Sequence, residues 1–385
     1  MKLAIVHKRF DRVGGAEREC YELSRQLAAR GHDVHIVAGE CRTAVPDGIH
    51  MHRVPLVRAG QTGKLLSFAA RAPRVWRAIG ADVVIGFGRT VGPDIFRASE
   101  CHREYLDRLA VERGVFERLR QRSSVYERAI LAVEARQYSR GGQRIVLAVS
   151  ELMRKDLLKN YPAARPESIE VLHCGVDVER FHPGRGAEEG AGLRRELGIA
   201  LEQPLVLFVG GGFRRKGVDT LIEIWRREPP AGAALVVVGG DPHLEAHARA
   251  ARSMRGPVIF TGPRTDTERF YAAADLFTLP SLYEGCPVSI LEALASGLPV
   301  VTSRATGAPE LLSGPLAELL VDDPRDGDGL ADRMRLGLDP ARRRELAEAA
   351  RAAGVGASLS ALVDKLEAWC HKIAAERGTI AAVSQ

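Results

Sequence analysis

The chain has 385 residues, 45% of them hydrophobic and 27% charged, with a formal net charge of +6 and six cysteines. A chain of this length and apolar content can bury two cores of ordinary domain size, so two domains are expected. The cysteines (Cys20, Cys41, Cys101, Cys174, Cys286 and Cys370) lack any C-x-x-C spacing, which argues against a zinc ribbon or a disulfide framework and for a reducing cytosol.

Apolar runs alternate with helical periodicity along the chain, the pattern of α/β layers with parallel sheets. The first run, Leu3 to Val6, is too short for a signal-peptide core, and no run approaches the roughly 18 apolar residues of a membrane span. In the first half strands are predicted at 2–7, 34–38, 49–54, 83–87, 145–149 and 169–172. The turn after the first strand carries Gly14 and Gly15, followed by Glu17 and Glu19.

Charge is uneven: residues 1–180 hold 31 Lys+Arg against 22 Asp+Glu, and the remainder 24 against 27. Within 102–140, Arg103, Arg108, Arg113, Arg118, Arg120, Arg122, Arg128 and Arg136 interleave with Tyr105, Leu106, Leu109, Val115, Phe116, Leu119 and Tyr126. One or two basic amphipathic helices are predicted there. Such a helix can lie on an anionic membrane surface, and it can equally pack on its own domain with the basic face in water. Nucleic acid is the weaker partner, since no nucleic-acid motif accompanies the charge.

The Gly-rich, charged stretch 182–192 reads as a linker between a first domain, 1–180, and a second, 193–355. An amphipathic helix over 359–376 follows, with a frayed tail from Arg377. In the second half strands are predicted at 205–209, 234–238, 258–261, 276–279, 300–302 and 318–321.

The strand at 205–209 closes in Gly210, Gly211 and Gly212, and Arg214, Arg215, Lys216 and Gly217 come before a helix at 218–225. Glycines let a ligand approach the backbone, and cations just beyond them neutralise phosphate oxygens. Further on, Glu284 and Glu292 stand eight positions apart across a loop-to-helix junction. Pro287 pre-sets the first turn of a helix predicted at 287–296, whose free N–H groups could hold a phosphate or a sugar hydroxyl beside Glu284. Each motif alone fits a solvated turn. A dinucleotide fold is disfavoured, because neither glycine turn reads G-x-G-x-x-G and only Glu40 or Asp241 could serve as the ribose acid.

Taken together, the Gly-rich turn with Arg215-Lys216-Gly217 and the Glu284/Glu292 pair resemble the nucleotide-sugar site of the retaining family 4 glycosyltransferases. Gly14-Gly15, Gly175 to Asp177, Phe181 with Pro183, Ala273 to Asp275 and Ala295 to Pro299 extend the resemblance over nearly the whole chain. Gly14-Gly15 with Arg18-Glu19, Arg215 to Asp219 and 94–100 make it most similar to the branch that adds the first glucose to heptose in the lipopolysaccharide inner core.

The resemblance implies the GT-B fold, two Rossmann-like doubly wound domains facing an interdomain cleft, with the 359–376 helix packed back on the first. It implies a UDP-sugar, UDP-glucose first, as donor, a lipid-linked oligosaccharide as acceptor, and no metal or other cofactor. The enzyme would be cytoplasmic and peripheral on the inner membrane face, in an oligomeric state left open.

The donor would be bound by Gly14, Gly15, Gly211, Arg215, Lys216, Arg264, Glu284, Gly285, Cys286, Pro287, Val288 and Glu292. Arg215, Lys216, Glu284 and Glu19 would be catalytic, with Glu284 on the sugar and Glu292 on the ribose. Glu19, Glu100, His102 and Arg103 are the acceptor-side candidates. Asp322 and Asp323 read as a solvated turn rather than a metal site. Mannosyl or N-acetylhexosaminyl transfer to another surface glycan is the alternative activity. A non-catalytic GT-B module that binds nucleotide or glycan is the alternative from another class.

Overall fold

The computed structural model describes residues 1–110, 123–139 and 144–383. The chain divides into two compact units: Met1–Cys174 together with the residues from Ser360 onward, and Gly175–Leu359.

The first unit carries β1 (Lys2–Val6), β3 (Asp33–Ala38), β5 (Ile49–Arg53), β6 (Val83–Phe87), β7 (Ile95–Ala98), β8 (Ile145–Ala148) and β9 (Ile169–Val171) in one sheet, ordered β5-β3-β1-β6-β7-β8-β9. Every pairing is parallel. The central strands are buried on both faces, so they read as continuous apolar runs. A short pair, β2 (Arg9–Phe10) with β4 (Glu40–Cys41), lies beyond the ends of β1 and β3. The strand order reverses between β1 and β6, and Gly14 caps helix Gly15–Ala29 after β1 at that switch point.

Strand β7 is the member of the seven-stranded sheet that the sequence pattern missed, as it missed the short pair β2 and β4. Its third residue is Arg97, only 1% exposed, which breaks an otherwise apolar run. A buried guanidinium needs a counter-charge and filled donors. Glu19, from helix Gly15–Ala29, accepts from Arg97 Nε at 2.9 Å and Nη2 at 2.6 Å, and the Leu172 carbonyl accepts from Nη1.

Helix Leu359–Val383 closes this unit on a stripe of Val363, Leu366, Cys370 and Ile373. Glu367 pairs with Arg30 and His32 at 2.7 Å each, and Arg377 meets Asp94 at 2.6 Å and the Asp82 carbonyl at 2.8 Å. The helix therefore continues past Arg377, where a frayed tail was expected.

In the described part of 102–140, helices His102–Ala110 and Val125–Gln137 bury His102, Glu104, Leu109, Ile130, Val133 and Glu134 within the unit. Arg113, Arg118, Arg120, Arg122, Val115, Phe116 and Leu119 lie outside the described residues. Among the described residues no helix is long and apolar enough to cross a membrane.

The second unit holds β10 (Leu205–Val209), β11 (Ala234–Val238), β12 (Val258–Gly262), β13 (Leu276–Leu279), β14 (Val300–Ser303) and β15 (Leu320–Val321), ordered β12-β11-β10-β13-β14-β15 and all parallel. Its order reverses between β10 and β13, so the loops after those two strands share a switch point.

The stretch 182–192 is not a linker. It forms a short 3-10 turn, Pro183–Arg185, running into helix Gly186–Leu197 inside the second unit. A Cβ at Gly190 would stand 2.5 Å from the Ala272 carbonyl oxygen, so this glycine serves close packing on helix Thr267–Ala273. Arg194 fastens the same helix through the Ala273 carbonyl at 2.8 Å, and also donates to Asp275 at 2.6 Å and to the Gln203 carbonyl at 2.6 Å.

Candidate functional site

The loops after β10 and β13 bring the second unit's charged residues together. Gly210 leaves β10 and Gly212 caps a one-turn helix, Phe213–Lys216, which Gly217 ends before helix Val218–Arg227. The loop after β13 returns beside it: the Leu282 N–H donates to the Arg215 carbonyl at 2.9 Å, and Arg215 Nη1 donates to the Tyr283 carbonyl at 3.1 Å. Glu284 is fixed from its other side, its carbonyl accepting from the Gly307 N–H at 3.0 Å.

At the centre, Glu284 Oε1 accepts from Arg215 Nη1 and stands 3.2 Å from Lys216 Nζ. The Glu284 side chain is 15% exposed. Burial pushes its carboxyl up, but Lys216 and then Arg215 outweigh that and hold it below the usual glutamate value. Two cations and one carboxylate leave one positive charge beside the glycine turn, in a half-closed place where charge acts more strongly than in water.

The glycines have two distinct uses. A Cβ at Gly210 would meet Lys216 Cδ at 2.8 Å, so the bare backbone lets Lys216 lie back across the turn. A Cβ at Gly239 would meet the Gly210 carbonyl oxygen at 2.0 Å, and one at Gly211 the Gly240 oxygen at 2.9 Å. The ends of β10 and β11 thus pack backbone on backbone. Asp241, weighed as a ribose acid, instead accepts from the Phe213 N–H at 2.9 Å and from the His243 N–H at 2.9 Å. That anchors the start of the Arg215-Lys216 turn. The Gly239-Gly240-Asp241 triplet after a strand was its visible signal.

Gly285, Cys286 and Pro287 lead into helix Val288–Ala295, with Pro287 at the cap position and Val288 as its first residue. Glu292 is 3% exposed and its Oε2 accepts from the Tyr271 hydroxyl at 2.8 Å. Tyr271, which no motif marked, sets that carboxylate. Arg264 is engaged by Asp266 through two bonds of 2.8 and 2.7 Å and lies over the Phe270 ring. Asp322 and Asp323 sit in an exposed turn, paired with Arg304 and Arg325.

The first unit's candidates fall in two places, the Gly14 turn with the helix that carries Glu19, and a network around Arg89 and Glu134 that holds Glu100, His102 and Arg103. Gly14 and Gly15 form an exposed turn, and a Cβ at Gly14 would collide with the Glu17 carboxylate. Glu19 does not face that turn freely, because Arg97 occupies its Oε1 and Cys174 Sγ lies 3.8 Å from its Oε2. Glu100 pairs with Arg89 at 2.5 Å, and His102 Nε2 with Glu127 at 2.5 Å. The His102 and Arg103 N–H groups both donate to Glu134, at 2.7 and 3.2 Å, and Tyr161 donates to the same carboxylate. Glu134 is fully buried and caps helix His102–Ala110 from a neighbouring helix. Sequence spacing gives no hint of it, because the two lie more than thirty positions apart.

Residues 13–180 match Glycosyltransferase Family 4 and residues 203–339 match Glycosyl transferases group 1. The lipopolysaccharide glucosyltransferase WaaG of Escherichia coli (strain K12) is 28% identical over 329 residues, 84% of this chain and 86% of that protein. The GDP-mannose-dependent alpha-(1-6)-phosphatidylinositol monomannoside mannosyltransferase of Mycobacterium tuberculosis (strain ATCC 25618 / H37Rv) is 36% identical over 209 residues, 50% of this chain and 52% of that protein. The crystal structure of WaaG, a glycosyltransferase involved in lipopolysaccharide biosynthesis, has a TM-score of 0.79 at 26% identity, covering 94% of this chain and 98% of its own.

Proposed function

The chain is a glycosyltransferase of the GT-B fold with family 4 and group 1 domains, and we propose that it transfers a hexose, glucose first, from a UDP-sugar to a heptose of the lipopolysaccharide core with retention of configuration. The likeness to the lipopolysaccharide glucosyltransferase over most of both chains supports the acceptor and the sugar. The carrying observation is the Arg215–Glu284–Lys216 cluster beside the glycine turn at the switch point of the second sheet.

In this reading the donor diphosphate takes over Arg215 and Lys216 from Glu284, whose freed carboxylate then accepts from hydroxyls of the sugar. Glu292, held by Tyr271, accepts from the ribose diol. Transfer breaks the bond from the anomeric carbon to the β-phosphate oxygen. The acceptor hydroxyl oxygen bonds to the same carbon from the same face, and its proton passes to the departing phosphate oxygen. Negative charge grows on the diphosphate as the bond breaks, and the two cations are already in place to meet it. They fill the role a divalent metal would otherwise have, so no metal enters the scheme.

The basic first domain suits a phosphorylated acceptor held at an anionic membrane surface, with the enzyme peripheral on the cytoplasmic face. A second reading, mannosyl transfer to another surface glycan, is favoured by the likeness to the GDP-mannose-dependent enzyme.

The test is a thermal-shift and turnover panel of UDP-glucose, UDP-galactose, UDP-N-acetylglucosamine and GDP-mannose, with and without EDTA. Stabilisation and turnover with one UDP-hexose, unchanged by EDTA, is the expected result. Preference for GDP-mannose would replace the glucosyl reading with the second one. Donor binding without turnover on any acceptor would make the chain a binding module.

A further inference from the structure

We propose that the edge of the first unit's sheet carries a binding site for a divalent transition-metal ion of the zinc type, formed by Asp33, His35 and His50, with His52 orienting His35. The parallel register pairs His35 with His50 and Val37 with His52 across β3 and β5. Side chains alternate along a strand, so Asp33, His35, His50 and His52 share one face, and β5 is the sheet's edge. Four groups able to ligate or support a metal thereby meet on two strand ends.

The spacing fits a tetrahedral ion. Zinc bonds of about 2.0–2.2 Å place neighbouring donor atoms roughly 3.3–3.5 Å apart. Here Asp33 Oδ1 stands 3.0 Å from His35 Nε2 and 3.5 Å from His50 Nε2, and one donor atom from each of the three residues fits within 4.8 Å of the others. Three protein ligands would leave one position for water.

Two further observations point to a ligand. His35 Nε2 is shielded from solvent and makes no hydrogen bond despite its closeness to Asp33, and a buried nitrogen left in that state is costly. His35 Nδ1 lies 2.8 Å from His52 Nε2. When Nδ1–H donates to His52, the Nε2 lone pair of His35 is directed to the cluster, and that hydrogen bond fixes the ring as outer partners do for metal-ligating histidines.

The rings of His50 and His52 stack on His35, with centroids 4.8 and 5.1 Å away. Lys2, whose strand pairs with β3 at Asp33, adds the opposing positive charge.

The cluster uses the first residues of β3 and β5, whereas the Gly14 turn follows the carboxyl end of β1. Its role is therefore to clamp the edge strand β5 to β3 rather than to take part in sugar transfer.

The experiment is titration of Zn²⁺, and of Co²⁺ followed by its visible absorption, into the metal-stripped, tag-free full chain at pH 7.5. One equivalent should bind and raise the melting temperature, because an ion that binds only the folded chain stabilises it. His50→Gln and Asp33→Asn alter exposed side chains and should keep the metal-free melting temperature while weakening binding by about 10-fold or more. No binding up to about 100 μM Zn²⁺, where a site of any consequence would fill, overturns the proposal. Unchanged affinity in both variants overturns it equally.

Discussion

Lys216 Nζ and Glu284 Oε1 stand 3.2 Å apart, one residue on the turn after β10 and the other on the loop after β13. The sheet's reversal of strand order is what joins them. Lys216→Ala leaves Glu284 paired with Arg215, so the fold should hold while sugar transfer falls by about 10²- to 10³-fold, the usual loss when a group that stabilises developing charge is removed. Glu284→Ala should lower transfer comparably and still bind the free nucleoside diphosphate, because both cations remain. Turnover measured with the preferred donor checks both, and near-normal rates in the pair would remove the donor assignment from this cluster.

Gly239 and Gly262 allow a paired stability test. Gly262 has φ +72° with its nearest atom 3.9 Å from an added Cβ, so Gly262→Ala should cost only the left-handed conformation, about 1 kcal/mol. Gly239 has φ +143° and would bring a Cβ to 2.0 Å from the Gly210 oxygen. Gly239→Ala should therefore cost more, and it should also weaken donor binding by shifting the turn that carries Lys216. Urea denaturation of both variants measures the difference, and equal costs would show that the backbone contact relaxes freely.

Glu19 separates a structural role from a catalytic one. Breaking a buried pair by removing one partner typically costs about 3–5 kcal/mol, so Glu19→Ala should lower stability on that scale and leave Arg97 uncompensated. A variant with unchanged urea midpoint and lost transfer would return Glu19 to the catalytic group.

Asp266 predicts an acid-side effect. Its carboxyl is pulled down to about 2 chiefly by the Arg264 hydrogen bonds, from an ordinary 3.8. A carboxyl lowered on folding stabilises fully above its unfolded value and loses that contribution as pH falls toward the folded value. Asp266→Asn should therefore destabilise at pH 7, and the gap to the parent should shrink as pH drops from 4 toward 2. Denaturant midpoints across that range check the sign.

The Arg215–Lys216–Glu284 cluster was legible because its members lie on two short motifs whose chemistry is local: glycines ending an apolar strand, cations one turn later, and an acid ahead of a proline-started helix. The residues that hold these members were not legible. Asp241 reads as a possible ribose acid until it is seen accepting the Phe213 N–H, and Tyr271 carries no mark until Glu292 is seen beside it. Glu134 and Arg97 were missed for a related reason. A charged residue in the interior contradicts the apolar pattern that identifies core elements, and only its distant partner explains it.

The sequence alone determined the alternation of strands and helices, the two-domain scale and the glycine-rich, cationic character of the turn after β10. These follow from side-chain periodicity and backbone preference, which act over a few residues. Tertiary structure decided that 182–192 is a packed helix start, that Glu19 is tied to Arg97, and that Asp33, His35, His50 and His52 meet at one edge. Those outcomes depend on strand order, register and burial, which pair residues far apart in the chain and reverse the meaning of a glycine or a charge according to what packs against it.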